Sequence, residues 1–349
     1  MKLPDTCERY LGVRVGISGC MDSEYDYRLQ QSQRFAAEVY KLTSRLEGAI
    51  VYRAYYLSKL SYSLPVTTFT TTQLKHIESP AIQAILVKLG YNRHFPRVVV
   101  FGPNAGGGLG LQSLQFIQGY QHIKNLIRVL NNETKDTPLL HILLRYTAIE
   151  AGTNMIFDNA YMQVKRILQY LTPTWATTLW SFLVKYKIDT NLNTGTFSPP
   201  LQRECDEYIM DQILTRRPNY STSDFRSINR VRLYLNVYSL ACVTDRSTHN
   251  LDRRLITKRT AGVARRSMLS WPKVVSKAYD WTIWSKAMLE VFEIYTQMGP
   301  WICTHQYWPL WQAPPPRVTD TWQHDLTWRA KILIDGRIID MCVLQEAVH

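Results

Sequence analysis

Acidic residues are scarce in this chain. Against 41 Lys and Arg stand 28 Asp and Glu over 349 residues, which leaves a formal charge of +13 and a pI near 9.4. That imbalance argues against cationic partners and points to a polyanion, nucleic acid first and an anionic membrane surface second. A basic protein without such a partner is the plain alternative. Cysteine is sparse too: Cys7, Cys20, Cys205, Cys242, Cys303 and Cys342 are scattered and form no CxxC pair. A chain this long can build its core without disulfide staples, so a reducing intracellular compartment, nuclear or cytoplasmic, is expected. Cys303 and His305 lie close together, but no nearby residue completes a zinc ligand set.

Long apolar runs are missing as well. The most apolar helical stretch, Leu139 to Phe157, is broken by His141, Arg145 and Glu150, too polar for a bilayer span. The opening MKLPDTCERY is polar and carries no basic-then-apolar leader pattern. A soluble protein without a membrane partner is expected. GxSxG, HExxH, GK[ST] and GxGxxG are all absent, and His94 and the other histidines are dispersed, so nucleophilic and zinc catalysis have no support. No internal repeat is present, and no two aspartates are adjacent.

What is present is a globular composition, 46% hydrophobic and 20% charged, with mostly helical periodicity. Arg9 to Ile17 reads as a strand with a turn at Ser18-Gly19. A helix follows from Glu24 to Leu42, its apolar face set by Tyr25, Leu29, Ala36, Val39 and Tyr40 and its other face carrying Arg28, Arg34 and Lys41. Ser44 caps a second helix that runs to about Tyr62, where Pro65 follows. A third begins at Thr71 or Thr72, and Pro80 either kinks or divides it. The chain is organised around LGYNRHFPRVVVFGPNAGGGLGL, Leu89 to Leu111, which reads as a β-branched strand or extended segment, a glycine loop and a helix start.

Beyond it, helices are expected over Leu111–Leu130, Pro138–Ala151, Ala160–Leu171, Thr174–Tyr186, Gln202–Leu214, Ser223–Leu235 and Val274–Tyr295, with a short strand at Val237–Val243. Asn191 to Ser198 followed by Pro199-Pro200 is the best linker. The Asp335-Gly336 pair in KILIDGRIID signals a hairpin. The fold class is therefore mainly α with minor β. Four regions are expected: 1–110 of strand and helices, 111–198 helical, 199–295 helical and basic, and a Trp/Pro-rich tail over 296–349 ending in the hairpin.

Several stretches, in order, carry a family resemblance. They are YLGVRV at Tyr10–Val15, Tyr27-Arg28-Leu29, Glu47–Leu74, the central LGYNRHFPRVVVFGP with GGLGL, and Gln118-Gly119. Further on come Ala151-Gly152-Thr153, Pro173-Thr174-Trp175, RECDEYIMD at Arg203–Asp211 and INRVRLYL at Ile228–Leu235. Together they resemble the region C-terminal to the palm in reverse-transcriptase proteins of retroelements from microbial eukaryotes, over most of residues 9–290. LGV followed by helices also resembles the start of the thumb in non-LTR retroelement polymerases. The resemblance implies a thumb-like region within 1–110, RNA or DNA as partner, and possible assembly with a palm-bearing polymerase chain. Such a palm carries paired aspartates that hold two metal ions for nucleotidyl transfer, and this sequence has no such pair. Magnesium would belong to that palm, no cofactor is expected here, and the chain alone is not expected to polymerise DNA. A docking module for the palm, or an element remnant, is the alternative reading.

If the first helices form a thumb, Arg28, Arg34, Lys41, Arg45 and Arg53 can line a primer–template duplex and neutralise phosphates. Arg93 and Arg97, flanking the central proline, can do the same or pair within the fold. A basic run holds Arg253, Arg254, Lys258, Arg259, Arg265 and Arg266 with Asp252 as its one acid, and Trp271 and Trp281 follow as stacking surfaces. For each, a solvated basic face is the bland reading. Glu204, Glu207 and Asp211 would share a helical face, either as a metal site or as acids offsetting a helix N-terminal dipole. The GGGLG loop either cradles a phosphate on its N–H groups or lets two backbone segments pack closely. Trp301, Trp308, Trp311, Trp322 and Trp328 are read as packing residues.

Overall fold

The computed structural model describes residues 8–10, 12–16, 19–42, 44–131, 137–158, 164–190, 201, 203–216, 219–244, 250–257, 276–292, 327–334 and 337–344. The protein is mainly helical with minor β structure. Its contacts gather into two compact units, one of residues 1–140 with 172–188, the other of 141–171 with 189–349. The linker expected at 191–200 lies outside the described residues, as do Asp335-Gly336, Cys303, His305 and the tryptophans from Trp301 to Trp322.

In the first unit the strand expected over 9–17 doubles back. Strands β1 (Glu8–Tyr10) and β2 (Val13–Val15) pair antiparallel with Arg9 opposite Arg14. The reversal falls at Gly12, whose φ of +86° suits the residue that has no Cβ. Helix α1 (Asp22–Val39) buries Glu24, Arg28, Ser32, Phe35 and Val39. This stripe is half polar because Glu24 and Arg28 neutralise each other: Arg28 Nε donates to Glu24 Oε1 at 2.6 Å. Glu24 Oε2 accepts the Arg14 backbone N–H at 2.9 Å, and Arg28 Nη1 donates to the Lys59 carbonyl at 3.1 Å. One buried ion pair thus ties the hairpin, α1 and the next helix together.

That next helix starts as expected, with a capping box in which Ser44 and Glu47 satisfy each other's backbone N–H groups. It is not one regular α-helix, however. Helix α2 (Arg45–Val51) passes through a π-helical turn, Tyr52–Leu57, into α3 (Ser58–Ser61). The wider turn places Tyr52, Tyr56 and Leu57 in the core, where both tyrosine rings pack on Phe35. Helix α4 (Thr71–Lys88) is capped by Thr70 and Gln73 and continues through Pro80 undivided. Burial of Ala81, Ile82, Ala84, Ile85 and Leu86 just beyond the proline outweighs its helix-breaking cost of about 3 kcal/mol.

The central stretch departs from expectation. VVVF is a single helical turn, α5 (Arg97–Phe101), where a strand is expected. Pro96 opens the turn, its carbonyl accepting the N–H groups of Val99 and Val100, and no strand among the described residues pairs with it. After it the chain passes through a 3₁₀ turn (Asn104–Gly106) and a left-handed Gly107, φ +80°. It then crosses back over its own start. Leu109, Gly110 and Leu111 donate their N–H groups to the carbonyls of Val99, Gly102 and Val100 at 2.9, 2.8 and 3.1 Å. At the crossing a Cβ on Gly108 would sit 2.2 Å from the Gly102 oxygen, so only glycine fits.

Helix α6 (Leu114–Asn131) follows and packs on α9 (Trp175–Tyr186), which the sequence delivers back to this unit. The contact centres on Gly119, where an added Cβ would lie 2.1 Å from a ring carbon of Phe182. Beside it His122 is buried, with Nε2 3.1 Å from the carbonyls of both Leu64 and Thr67. Two acceptors on one nitrogen place the proton there and leave the ring neutral. Burial drives its pKa down to about 4, the two carbonyl contacts opposing.

The second unit contains most of α7 (Thr137–Ala151), with α8 (Val164–Tyr170), α10 (Ile209–Arg216), α11 (Thr222–Leu235) and α12 (Ala278–Phe292). Its centre is Arg232, 1% exposed. Nη2 donates to the carbonyls of Ile149 and Glu150 at 2.6 and 2.9 Å, and Nε to Asn229 Oδ1 at 2.9 Å. Burial lowers its pKa to about 10, still charged at neutral pH, and the C-terminal carbonyls of α7 are the favourable end of a helix for that charge. Gly152 completes the junction with φ +72°, since a Cβ there would meet Met210 at 2.6 Å and Arg232 at 3.0 Å. The strand expected at 237–243 is a single bridge, Tyr208 to Ser239, followed by a 3₁₀ turn at Leu240–Val243. The C-terminal hairpin is present: β3 (Thr327–Ile334) and β4 (Arg337–Leu344) pair antiparallel in a register that runs Ile334 against Arg337.

Two measurements test this packing. Gly119→Ala, a change that stabilises an ordinary helix interior, is expected to cost about 1–3 kcal/mol in chemical denaturation, with Phe182→Leu recovering part of it. For His122 the folded pKa lies below the unfolded one, so its contribution is full above pH 6.5 and is lost as pH falls towards 4. Stability should fall across that window by up to about 1.4 kcal/mol per pH unit from this one group. His122→Gln, which keeps a donor for the two carbonyls, should flatten that part of the profile.

Candidate nucleic-acid interface

The basic residues named from sequence divide sharply by environment. Arg28 is not on a solvated face: it is 4% exposed and held by Glu24 and the Lys59 carbonyl, so it is withdrawn from the candidate set. Arg34, Lys41, Arg53 and Arg93 are exposed, Arg97 is half-buried, and Arg45 is the first residue of α2. Arg253 and Arg254 are exposed in a short 3₁₀ turn, where Arg254 pairs with Asp252 at 2.9 Å. Lys258, Arg259, Arg265, Arg266 and Trp271 lie outside the described residues. Trp281 offers no stacking face, being 5% exposed with its ring N–H on Ser276 Oγ at 2.9 Å.

The expected acidic face over 202–214 does not form either. Helix α10 begins at Ile209, so Glu204 and Glu207 precede it, and only Asp211 is helical. The reason is local. Cys205 takes a left-handed φ of +58°, and Asp206 Oδ1 accepts the N–H groups of Glu207 and Ala241, both at 2.9 Å, which folds the segment onto the Leu240 turn. Asp211 Oδ2 accepts Thr153 Oγ1 at 3.1 Å. No group of three or more metal-ligating side chains occurs among the described residues.

The glycine loop resolves one sequence alternative. The N–H groups of Gly106, Gly107, Gly108, Leu109 and Gly110 all donate to backbone carbonyls within the segment, so none is left to hold a phosphate. Close backbone approach is the loop's role.

What the loop positions is more informative. On one side of the crossing, Gly110 and Gln112 form the wall of a groove of about 770 Å³ with Arg53, Ser58 and Ser61 from the π turn and α3, and Phe116, Tyr120 and Gln121 from α6. Tyr120 is 54% exposed and Phe116 48%, an arrangement of open aromatic faces beside a solvent-exposed guanidinium. The wall is fixed from below by Tyr52, whose hydroxyl donates to the Gln112 carbonyl at 3.1 Å. A smaller hollow of about 200 Å³ on the far face of the same helix gathers Arg34, Lys59, Tyr27 and Tyr55, with the Lys59 ammonium 5.1 Å from the Tyr55 ring centre.

On the other side of the crossing, a cleft of about 630 Å³ is lined by Lys75, Glu78 and Ser79 of α4, Arg97, Val98 and Phe101 of α5, and Lys185 and Tyr186 of α9. Glu78 is buried and accepts the Leu114 N–H at 2.7 Å, without an ion pair among the described residues. Burial pushes its pKa up to about 7, against the opposing pull of the Leu114 hydrogen bond and of Arg97 and Lys75.

The structure thus brings Arg53, Arg34 and Arg97 into three separate depressions rather than one strip. Sequence reasoning missed Lys59, Lys75, Lys185, Phe116 and Tyr120. Lys75 and Lys185 come together only because α9 returns to α6, and no local pattern carries that. Phe116 and Tyr120 were legible as i, i+4 aromatics on a helix, a spacing that usually marks core. Comparison with family models, curated proteins and solved structures finds no match to the chain. No helix among the described residues is long and apolar enough to cross a membrane.

Glu78 supplies a test of this geometry. Its folded pKa is above the unfolded value of 4.5, so its stabilising contribution is full below pH 4.5 and is lost as pH rises through 7. Glu78→Gln, which still accepts the Leu114 N–H, should raise stability at pH 8 by about 3 kcal/mol and make little difference near pH 4. Urea denaturation at the two pH values measures it.

Proposed function

We propose that the protein is a noncatalytic nucleic-acid-binding member of a retroelement reverse-transcription system, contacting RNA or DNA chiefly through its first unit. The carrying observation is the groove at Arg53. Phe116 and Tyr120 give sequence-independent stacking surfaces, Arg53 a phosphate contact, and Gln112 and Gln121 polar edges, which is the combination used to hold single strands. The net charge of +13 supplies long-range attraction, and Arg34, Lys41 and Arg93 are exposed cations on the same unit. The order of the LGV, glycine-loop and RECDEY segments supports the relation to the post-palm region of these polymerases. No two aspartates are adjacent in this sequence, so the paired metal-holding aspartates of nucleotidyl transfer are not among its residues.

A second reading, a docking module for that palm, is favoured by the open apolar and aromatic side chains Tyr40, Ile50, Tyr55, Tyr62 and Val66 on the N-terminal helices and the loop that follows them. The two readings separate in one experiment. Fluorescence anisotropy of the full chain with a labelled single strand and an RNA–DNA hybrid should show binding that weakens steeply with salt and depends little on sequence. Arg53→Ala and Tyr120→Ala should each weaken single-strand binding several-fold, about 1–3 kcal/mol for the stacking residue. Absence of binding at low salt would leave the docking reading.

A further inference from the structure

The cleft on the other side of the loop crossing is chemically unlike the Arg53 groove. Its cations come from three elements, Lys75 from α4, Arg97 from α5 and Lys185 from α9, and they surround one carboxylate, Glu78, which is already engaged by the Leu114 N–H. Positive charge is therefore in excess at the mouth. Arg97 shows it directly: among the described residues its buried Nη1 has no hydrogen-bond partner, while Nη2 reaches the Arg93 carbonyl at 3.5 Å. A buried guanidinium N–H without an acceptor is costly, and an anion in the cleft would supply one. Lys75 and Lys185 face each other closely enough that burial, and after it the Lys75 charge, hold the Lys185 pKa below its usual value. Two ammonium groups and a guanidinium around one space are the donor set of a phosphate site.

The rest of the lining is mixed: Ser79, Ser113 and Gln115 add polar edges, with the Lys185 ammonium donating to Gln115 Oε1, and the remainder is apolar or aromatic. Leu74, Ile82 and Phe101 form an apolar wall, and Val98 stands 86% exposed at the rim. Tyr186, 39% exposed, is held rigidly by Phe182 with ring centres 4.6 Å apart, and so presents a fixed aromatic face without loss of side-chain freedom on binding. A space of about 630 Å³ with one phosphate-sized cationic end and one flat apolar end lies in the range of small-ligand pockets.

We propose that this cleft binds a nucleoside monophosphate, with the phosphate held by Lys75, Arg97 and Lys185 and the base packed against Tyr186 and Phe101. Glu78 then sits beside the phosphate, and its protonated carboxyl donates to it where the ionised form would repel it. The titratable and charged groups near Glu78 are Lys75, Arg97, Lys185 and Tyr186, with the buried Tyr52 and Tyr56 behind it. Burial raises the Glu78 pKa to about 7, so its charge is removed and binding strengthens as pH falls through that value. The inference does not rest on the Arg53 groove.

Isothermal titration of the full chain with AMP, adenosine and inorganic phosphate, between pH 6.5 and 8, tests it. AMP is expected to bind more tightly than either part. Lys75→Gln and Lys185→Gln, both at exposed positions that leave the fold intact, should each weaken AMP about ten-fold, and Arg97→Gln more. Glu78→Gln should tighten AMP at pH 8 and flatten the pH dependence, while Arg53→Ala should leave AMP binding unchanged. The proposal is overturned if AMP gives no heat at any of these pH values, if adenosine binds as well as AMP, or if inorganic phosphate does. Survival of AMP binding in the Lys75→Gln, Lys185→Gln double variant would overturn it as well. Loss of single-strand binding with AMP binding retained would strike at the Arg53 groove alone.

Discussion

Three backbone hydrogen bonds hold the central segment of the first unit in register. Where Leu109, Gly110 and Leu111 donate to Val99, Gly102 and Val100, the chain crosses its own path within a dozen residues, and it can do so only because Gly102 and Gly108 bring bare backbone into contact. Everything around the crossing inherits its geometry from it. The outgoing limb carries Gly110 and Gln112 to the Arg53 groove, and the incoming limb carries Arg97, Val98 and Phe101 to the Glu78 cleft. The two depressions are opposite consequences of one knot-like turn. The glycines that look like a phosphate cradle in the sequence act instead by spending their N–H groups on the loop itself.

The arginines of the chain sort into two populations that composition cannot tell apart. Arg28 and Arg232 are interior residues, each neutralised by a different device: Arg28 by the carboxylate of Glu24, Arg232 by helix-end carbonyls and Asn229. A buried cation stripped of such partners is strongly destabilising, so these two charges serve cohesion within their units. Arg34, Arg53 and Arg93 are open to solvent. The +13 total thus does not say where the positive charge lies: the Arg28–Glu24 pair cancels within that count, and the Arg232 charge is buried among carbonyls rather than open to a partner.

Much of the helical plan was legible in the sequence. Capping boxes at Ser44 and Thr70, the Thr174 cap and the Ser221 cap fall at or within a few residues of the places where apolar periodicity begins, so local chemistry and tertiary packing agree there. Three departures share one cause, which is that tertiary partners decide between local options. VVVF has high strand preference but no strand among the described residues to pair with, and becomes a helical turn. Val237–Val243 finds only one bridge partner. The 202–208 segment, helical by periodicity, is drawn off by Asp206 capping a distant turn at Ala241. The candidate sites were legible only in part. Arg53 stood out on the expected thumb helices and Arg97 beside the central proline, whereas Lys75, Lys185 and Glu78 acquire meaning only through α4, α5 and α9, which lie far apart in the chain. Arg28 was misread because a periodic helix face does not say whether a carboxylate one turn away has claimed its cation.

The return of α9 to the first unit has a bearing on how the protein comes into being. Residues 172–188 belong with 1–140, yet 141–171, which belong to the other unit, precede them in the chain. On the ribosome, the bare patch of α6 around Gly119 therefore emerges well before Phe182 exists to cover it, and the nascent chain must carry that gap while the opening helices of the other unit are being made. No single cut can separate the two units, and a gene fragment ending before 188 encodes an incomplete first unit however well its earlier helices form. An interval of translation is thus written into the architecture, during which the first unit waits for its last helix.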